Sequence, residues 1–168
     1  GATAVPVGAT SRGANLFDLA AAGGFKSWFF SAQNRHFLNT AGGAPGAARI
    51  ETLDEHREAY GREKDDYLVP LLREAATDSA GRKFIFVHQR VNHVPYNRNC
   101  AHVPEMAAAL PPDALDVNVR RVALYDAGLK CWDRNVAKLV DAVAGRPGAV
   151  YVFITADHNE LMGERGLW

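Results

Sequence analysis

Charge of one sign is what this sequence most plainly lacks. Its 19 Lys and Arg are balanced by 19 Asp and Glu over 168 residues. A nucleic-acid binder is expected to carry a basic stripe, so no electrostatic argument for such a partner exists. Long apolar runs are missing too. The longest are strand-sized, too short to cross a bilayer as a helix. There are two cysteines, Cys100 and Cys131. They permit one disulfide if the domain is exported, or two buried thiols, and fix no compartment by themselves. No Gly-x-Ser-x-Gly elbow, Walker loop or Gly-x-Gly-x-x-Gly turn occurs. Thr3, Thr10 and Ser11 stand near the start without an adjacent base, so no nucleophile announces itself.

What is present is an α/β rhythm. Apolar residues make up 48% of the chain, enough for a real core. Asn15 to Ala22 reads as a short helix, with Asn15 as N-cap and Gly23-Gly24 as stop. Phe25 to Phe30 reads as a strand. Residues 39–49, rich in Gly and Ala, read as a flexible loop, and 54–62 as polar and helical or exposed. The pattern from Asp65 to Ala76 is helical, with the helix proper starting near Val69 and Pro70 in its first turn. Lys83 to His88 is a second buried strand. The stretch from Asp113 to Ala144 is the longest helix candidate. Its stripe is Val122, Tyr125, Leu129, Trp132, Val136, Leu139 and Val143. Ala149 to Thr155 is apolar on both faces, as a buried parallel strand requires. The predicted architecture is a three-layer α/β sandwich, a mainly parallel sheet with helices on both faces.

Two of these strands run into clusters that carry chemistry. The last leads into Asp157-His158-Asn159-Glu160, and open α/β sheets bind ligands at the carboxyl ends of their strands. Carboxylate plus imidazole is a standard pair of ligands for a divalent metal such as zinc, although an isolated Asp-His pair more often caps a turn. Glu160 is placed to support His158 by a hydrogen bond or to cap the turn. The middle strand ends in His88-Gln-Arg-Val-Asn-His93-Val-Pro-Tyr96. His88 reads as a core histidine with a backbone partner. His93, beside Asn92 in the loop, reads as functional, because loops carry sites. In a parallel sheet both clusters share one edge and can converge. Arg35 and His36 follow the first strand towards that same edge. His36, His56 and His102 otherwise need no explanation beyond solvation. Asp126 lies close to the apolar stripe, where a buried buttress is one reading, and Asp133 reads as a solvated helix carboxylate.

These motifs resemble the alkaline-phosphatase-like superfamily in its sulfatase-like branch, and within it the bacterial phosphoethanolamine transferases that modify lipopolysaccharide. Thr3-Ala-Val-Pro-Val7 is similar to that family's Thr-rich, Val-Pro segment. Asn15-Leu-Phe-Asp-Leu through Gly24-Phe-Lys-Ser-Trp28 and Ser31-Ala-Gln-Asn34 resemble its Asn-Leu-x-Asp-Leu…Lys-x-x-Trp stretch. The segment from His88 to Tyr96 resembles its His-Gln-x-Gly-x-His-Gly-Pro motif. Tyr125-Asp126 and Asp133 resemble the Tyr-Asp-Asn…Asp pattern of its long helix. Ile154 to Gly166 resembles Ser-Asp-His-Gly-Glu…Gly-Glu-Asn-Gly, the most specific match. Asn159 and Val94 stand where the family has Gly, which puts larger side chains beside the expected pocket.

The resemblance implies an incomplete alkaline-phosphatase-like fold, with residues 1–168 forming a single partial catalytic domain of a longer chain. It implies zinc as the cofactor, held by Asp157 and His158 with Glu160 behind them. His93 is then catalytic beside the phosphoryl group, and Arg35, His36 and Asn92 contact substrate. The implied reaction moves phosphoethanolamine from a phospholipid donor to a lipid A or core sugar of lipopolysaccharide, through a covalent phospho-enzyme. A Thr nucleophile and a Glu ligand are expected upstream of Gly1, and a further His shortly after Trp168. The parent is expected to sit in the inner membrane through a segment outside this sequence, with this part in the periplasm and no nucleic-acid partner. A sulfatase or phosphodiesterase-type hydrolase, or an inactive binding domain, is the alternative.

Overall fold

The computed structural model describes residues 15–35, 46–56, 65–96, 100, 104, 116–163 and 166. The first helix, α1 (Leu16–Ala22), is set by its cap. The Asn15 side chain accepts from the backbone N–H of Phe17 and Asp18 at 2.8 and 3.0 Å, and the Asp18 carboxylate returns to Asn15 N. That reciprocal box satisfies donors a helix start leaves orphaned. Gly23 and Gly24 end the helix, Gly24 at φ 73°, a conformation that favours glycine. The chain then enters β1 (Lys26–Ser31), buried at every position but its first. Next come the short strand β2 (Arg49–Glu51), a 3₁₀ turn at Leu53–Glu55, helix α2 (Leu68–Thr77), strand β3 (Lys83–His88) and the long helix α3 (Val117–Val143). Pro70 occupies the first turn of α2, where its missing N–H costs nothing.

The three strands form one parallel sheet in the order β2-β1-β3, with Lys26 opposite Lys83 and Ser31 opposite His88. Side chains of β1 alternate between two apolar layers. Trp28 and Phe30 pack with Leu68, Leu71 and Ala75 of α2, with Ile85 and Val87 of β3, and with Leu139 of α3. Phe29 points the other way, onto Phe17 of α1 at 5.9 Å edge-to-face and onto Phe86 of β3 at 5.5 Å stacked. Helices therefore cover both faces, and the three-layer α/β architecture is as the sequence implies. Phe30, fully buried at the centre, anchors it.

Four local expectations are corrected. A strand, β2, stands at the end of the Gly- and Ala-rich stretch. Its Arg-Ile-Glu sequence hides it, because the charges are satisfied sideways, Arg49 pairing with Glu51 and Glu74. The run from Ala149 to Thr155 is not a buried strand. It joins no described ladder, and its side chains are exposed, Phe153 at 92%. Its β propensity is real, but propensity on a pleated surface is packing, and here nothing described packs on it. The large apolar stripe of α3 is half-buried rather than fully buried, with Leu129 exposed, and the fully buried positions are its neighbours Ala127, Gly128, Cys131, Asn135 and Ala142. Small residues let the helix approach closely. Asp126 is exposed rather than a buried buttress. Asp133 is exposed, as its reading as a solvated carboxylate implies.

Among the described residues no helix is long and apolar enough to cross a membrane.

Candidate active site

Parallel pairing puts the carboxyl ends of β1 and β3 side by side. At that edge the Ser31 hydroxyl lies 2.8 Å from His88 Nδ1, and Gln33 N donates to the same oxygen. The partner of the His88 ring is thus a side-chain hydroxyl rather than the backbone. Burial holds His88 below its ordinary pKa. The charge of Asp157 opposes this, while Arg90 and His93 reinforce it. One imidazole therefore feels both clusters that the sequence singles out.

The loop after β3 is built on a residue the sequence reading passed over. Asp65, 4% exposed, accepts from Arg90 N at 3.0 and 3.1 Å through its two oxygens and from Val91 N at 2.8 Å. Burial pushes its carboxyl up to about 7, with Asp66 adding to the rise and the bonds from Arg90 and Val91 opposing it. The turn continues with His93 N donating to Arg90 O at 3.1 Å. The His93 Nδ1 lies 2.6 Å from Val94 O. A carbonyl only accepts, so Nδ1 carries the proton and Nε2 is the basic nitrogen of the neutral ring. The Val94–Pro95 peptide is cis.

Asn92 turns away from solvent towards α3. A Cβ on Gly128 would lie 2.2 Å from its Oδ1, an atom that is buried and makes no hydrogen bond. The far end of the loop is fixed by a disulfide from Cys100 to Cys131, three residues along the same face of α3. Val91, Cys100, Ala127 and Cys131 form one buried cluster. Tyr96, buried against Tyr125, has its hydroxyl close to Arg121 and Glu160 without hydrogen-bond geometry. Burial raises its pKa.

Asp157 and His158 are exposed, with side-chain exposures of 82% and 59%. His158 N donates to Asp157 Oδ1 at 3.0 Å, and His158 Nδ1 lies 3.2 Å from Asn159 O, which leaves Nε2 as the basic nitrogen. That Nε2 stands 3.8 Å from Asp157 Oδ1. Two tetrahedral zinc ligands at ~2.0–2.1 Å from the metal sit about 3.3 Å apart, so a small torsional change lets both reach one cation. The donor types fit zinc. No group of three His, Cys, Asp or Glu able to hold a metal occurs among the described residues. Glu160 makes a 3.7 Å ion pair with Arg121 of α3 rather than supporting His158.

Arg35 engages the 3₁₀ turn, its backbone N–H donating to Asp54 at 2.6 Å and its guanidinium pairing with Glu55. His36 and His102 lie outside the described residues, as does the Thr3–Val7 segment. His56 is more than a solvated loop residue. It lies 2.6 Å from Glu51 and stacks on Tyr67 at 4.3 Å, and the Tyr67 hydroxyl donates to Ser31 O. The one sequence sign of this support was the Asp65-Asp66 doublet directly before the apolar start of α2.

A family model described as Sulfatase matches residues 2–168. No curated protein and no solved structure matches the chain.

Proposed function

This chain belongs to the sulfatase family, and on that premise we propose that it is part of a zinc-dependent phosphoethanolamine transferase. The donor is a phospholipid and the acceptor a lipid A or core sugar of lipopolysaccharide. The observation that supports the reading is that the charge of Asp157 acts on His88, at the end of β3 in the segment that also carries His93. Members of the superfamily are commonly metalloenzymes, and Asp157 and His158 supply a carboxylate oxygen and an imidazole nitrogen of suitable type for zinc. Bound there, the metal supplies Lewis-acid polarisation of a phosphoryl oxygen and acidifies a hydroxyl nucleophile.

The remaining work falls to this chain's own side chains. His93, with Nδ1 tied to Val94 O, presents Nε2 to the phosphoryl group. There, in its imidazolium form, it donates to an oxygen or hands the Nε2 proton to the leaving alkoxide, returning to the neutral ring. Asn92 packs on Gly128, so its contribution is to the placing of His93 rather than to substrate contact. Arg35, and His36 outside the described residues, remain proposed substrate contacts. The Cys100–Cys131 bond suits an oxidising compartment, in keeping with a periplasmic domain anchored in the inner membrane through a segment outside this sequence. The residues here supply part of the site, and a Thr nucleophile and further ligands come from elsewhere in the parent.

Hydrolysis of a sulfate or phosphate ester is the second reading, favoured by the description of the matching family. The test is expression of the intact parent in a bacterium bearing lipopolysaccharide, with mass spectrometry of its lipid A and core. One added phosphoethanolamine unit is expected. Asp157→Asn and His93→Ala are each expected to lower it by roughly 100-fold or more. Free ester hydrolysis without lipid modification supports the hydrolase instead. Wild-type modification by both variants overturns the proposed site.

A further inference from the structure

The carboxylate of Asp65 is the least expected group in the molecule. It is buried, sits before a helix on the far side of β3 in sequence, and spends its hydrogen-bonding capacity on two backbone N–H groups, those of Arg90 and Val91. Those two residues begin the turn that presents His93, and His93 N is bonded back to Arg90 O. We propose that Asp65 is the positioning residue of this site, its ionised carboxylate fixing the turn that aims His93. The inference rests on the proposed role of His93 but adds a residue that no motif of the family resemblance covers.

The physical argument is one of donors and acceptors. Two N–H groups converge on one side chain, an arrangement that a carboxylate satisfies fully because it only accepts. A proton on either oxygen turns an acceptor towards donor character and sets it against an N–H. A proton on Oδ1 removes one of the two holds on Arg90 N, and a proton on Oδ2 opposes the N–H groups of both Arg90 and Val91. The groups facing Asp65 are known. Asp66 beside it bears a like charge and is paired with Lys138 of α3 at 2.8 Å. The Tyr67 phenol lies on the same segment and is kept protonated by burial. The Arg90 side chain comes from the loop itself and favours the ionised form. The balance leaves Asp65 titrating near 7, where a change of conditions converts a fixed turn into a loose one. The other end of the loop is held covalently at Cys100, so the freedom gained is confined to the residues around His93.

The test uses the intact protein and two readouts. In the first, the backbone amide resonances of Arg90 and Val91 are followed from pH 5 to 9. They are expected to titrate together with a midpoint near 7, with the His93 ring resonance moving in step, and to be flat in Asp65→Asn. Amides that do not titrate, or a His93 resonance indifferent to Asp65, overturn the inference whatever the reaction is. The second readout is turnover. Asp65→Asn is expected to lower kcat roughly 10- to 100-fold with little change in KM and to remove the acid limb of the pH profile, while Asp65→Glu restores part of the rate. Loss of rate with the acid limb intact indicates damage to folding alone and overturns it. A fully active His93→Ala sinks the proposed function and leaves the amide titration standing, so the two failures are told apart.

Discussion

Asn92 and Gly128 show how one missing side chain sets a loop. The amide oxygen of Asn92 occupies the space a Cβ on Gly128 would need. Gly128→Ala gains about 1 kcal/mol of helix propensity and spends it, with more, on displacing that amide. The expected outcome is a net loss of about 1–2 kcal/mol in denaturant unfolding and reduced activity through the neighbouring His93. In an Asn92→Ala background the clash is gone, and the same Gly128→Ala is expected to stabilise by about 1 kcal/mol. Asp65 makes a second prediction at this scale. Its folded pKa, near 7, lies above the ordinary 3.8, so the native state holds a proton that the unfolded chain has released. Its contribution to stability is therefore greatest below about pH 4 and is lost as pH rises to about 7. Thermal unfolding of Asp65→Asn is expected to lack that downward slope. The ionised form that aligns the loop is the form the fold least favours. Residues such as these were illegible in the sequence, because a buried carboxylate and a buried amide are defined by their neighbours.

At the scale of elements the legible parts were those whose signals are local. The Asn15 N-cap and Gly23-Gly24 marked α1, and the continuous apolar run within Lys83 to His88 gave β3 its bounds. Pro70 placed the start of α2 within a residue. The illegible parts depended on partners. β2 has a single apolar residue and exists because β1 offers it an edge. The run from Ala149 to Thr155 has every local mark of a strand and stands exposed. On α3 the periodic large residues are half-buried, while close packing gives the fully buried places to small residues beside them. The element that carries His93 is braced at both ends, by Asp65 at Val91 and by the disulfide at Cys100. With a separation of 31 residues, removing the disulfide as Cys100→Ser with Cys131→Ser is expected to cost about 3–4 kcal/mol in chemical denaturation. A change below about 1 kcal/mol would mean the brace is carried by packing alone.

For the molecule as a whole, the parallel sheet puts the ends of β1 and β3 on one edge, while the run leading to Asp157 stands outside the sheet and reaches that edge only through the charge of Asp157 on His88. The two clusters differ in exposure. His88 is packed inside, while Asp157 and His158 lie open to solvent with two donors between them. Catalytic zinc sites use about three protein ligands. Calorimetric titration of the 168-residue chain with zinc is therefore expected to give weak binding, far short of the about 10–16 kcal/mol of complete structural sites. Asp157→Asn is expected to abolish what binding there is. Tight stoichiometric binding by this chain alone would require a donor beyond those described.

The covalent link between Cys100 and Cys131 closes a ring of backbone that includes Arg120, Arg121 and Lys130, each a bond trypsin can cut. A single nick at any of them leaves both pieces in one molecule. Such a clipped species migrates as uncut protein on a gel run without thiol and falls into two bands once reductant is added.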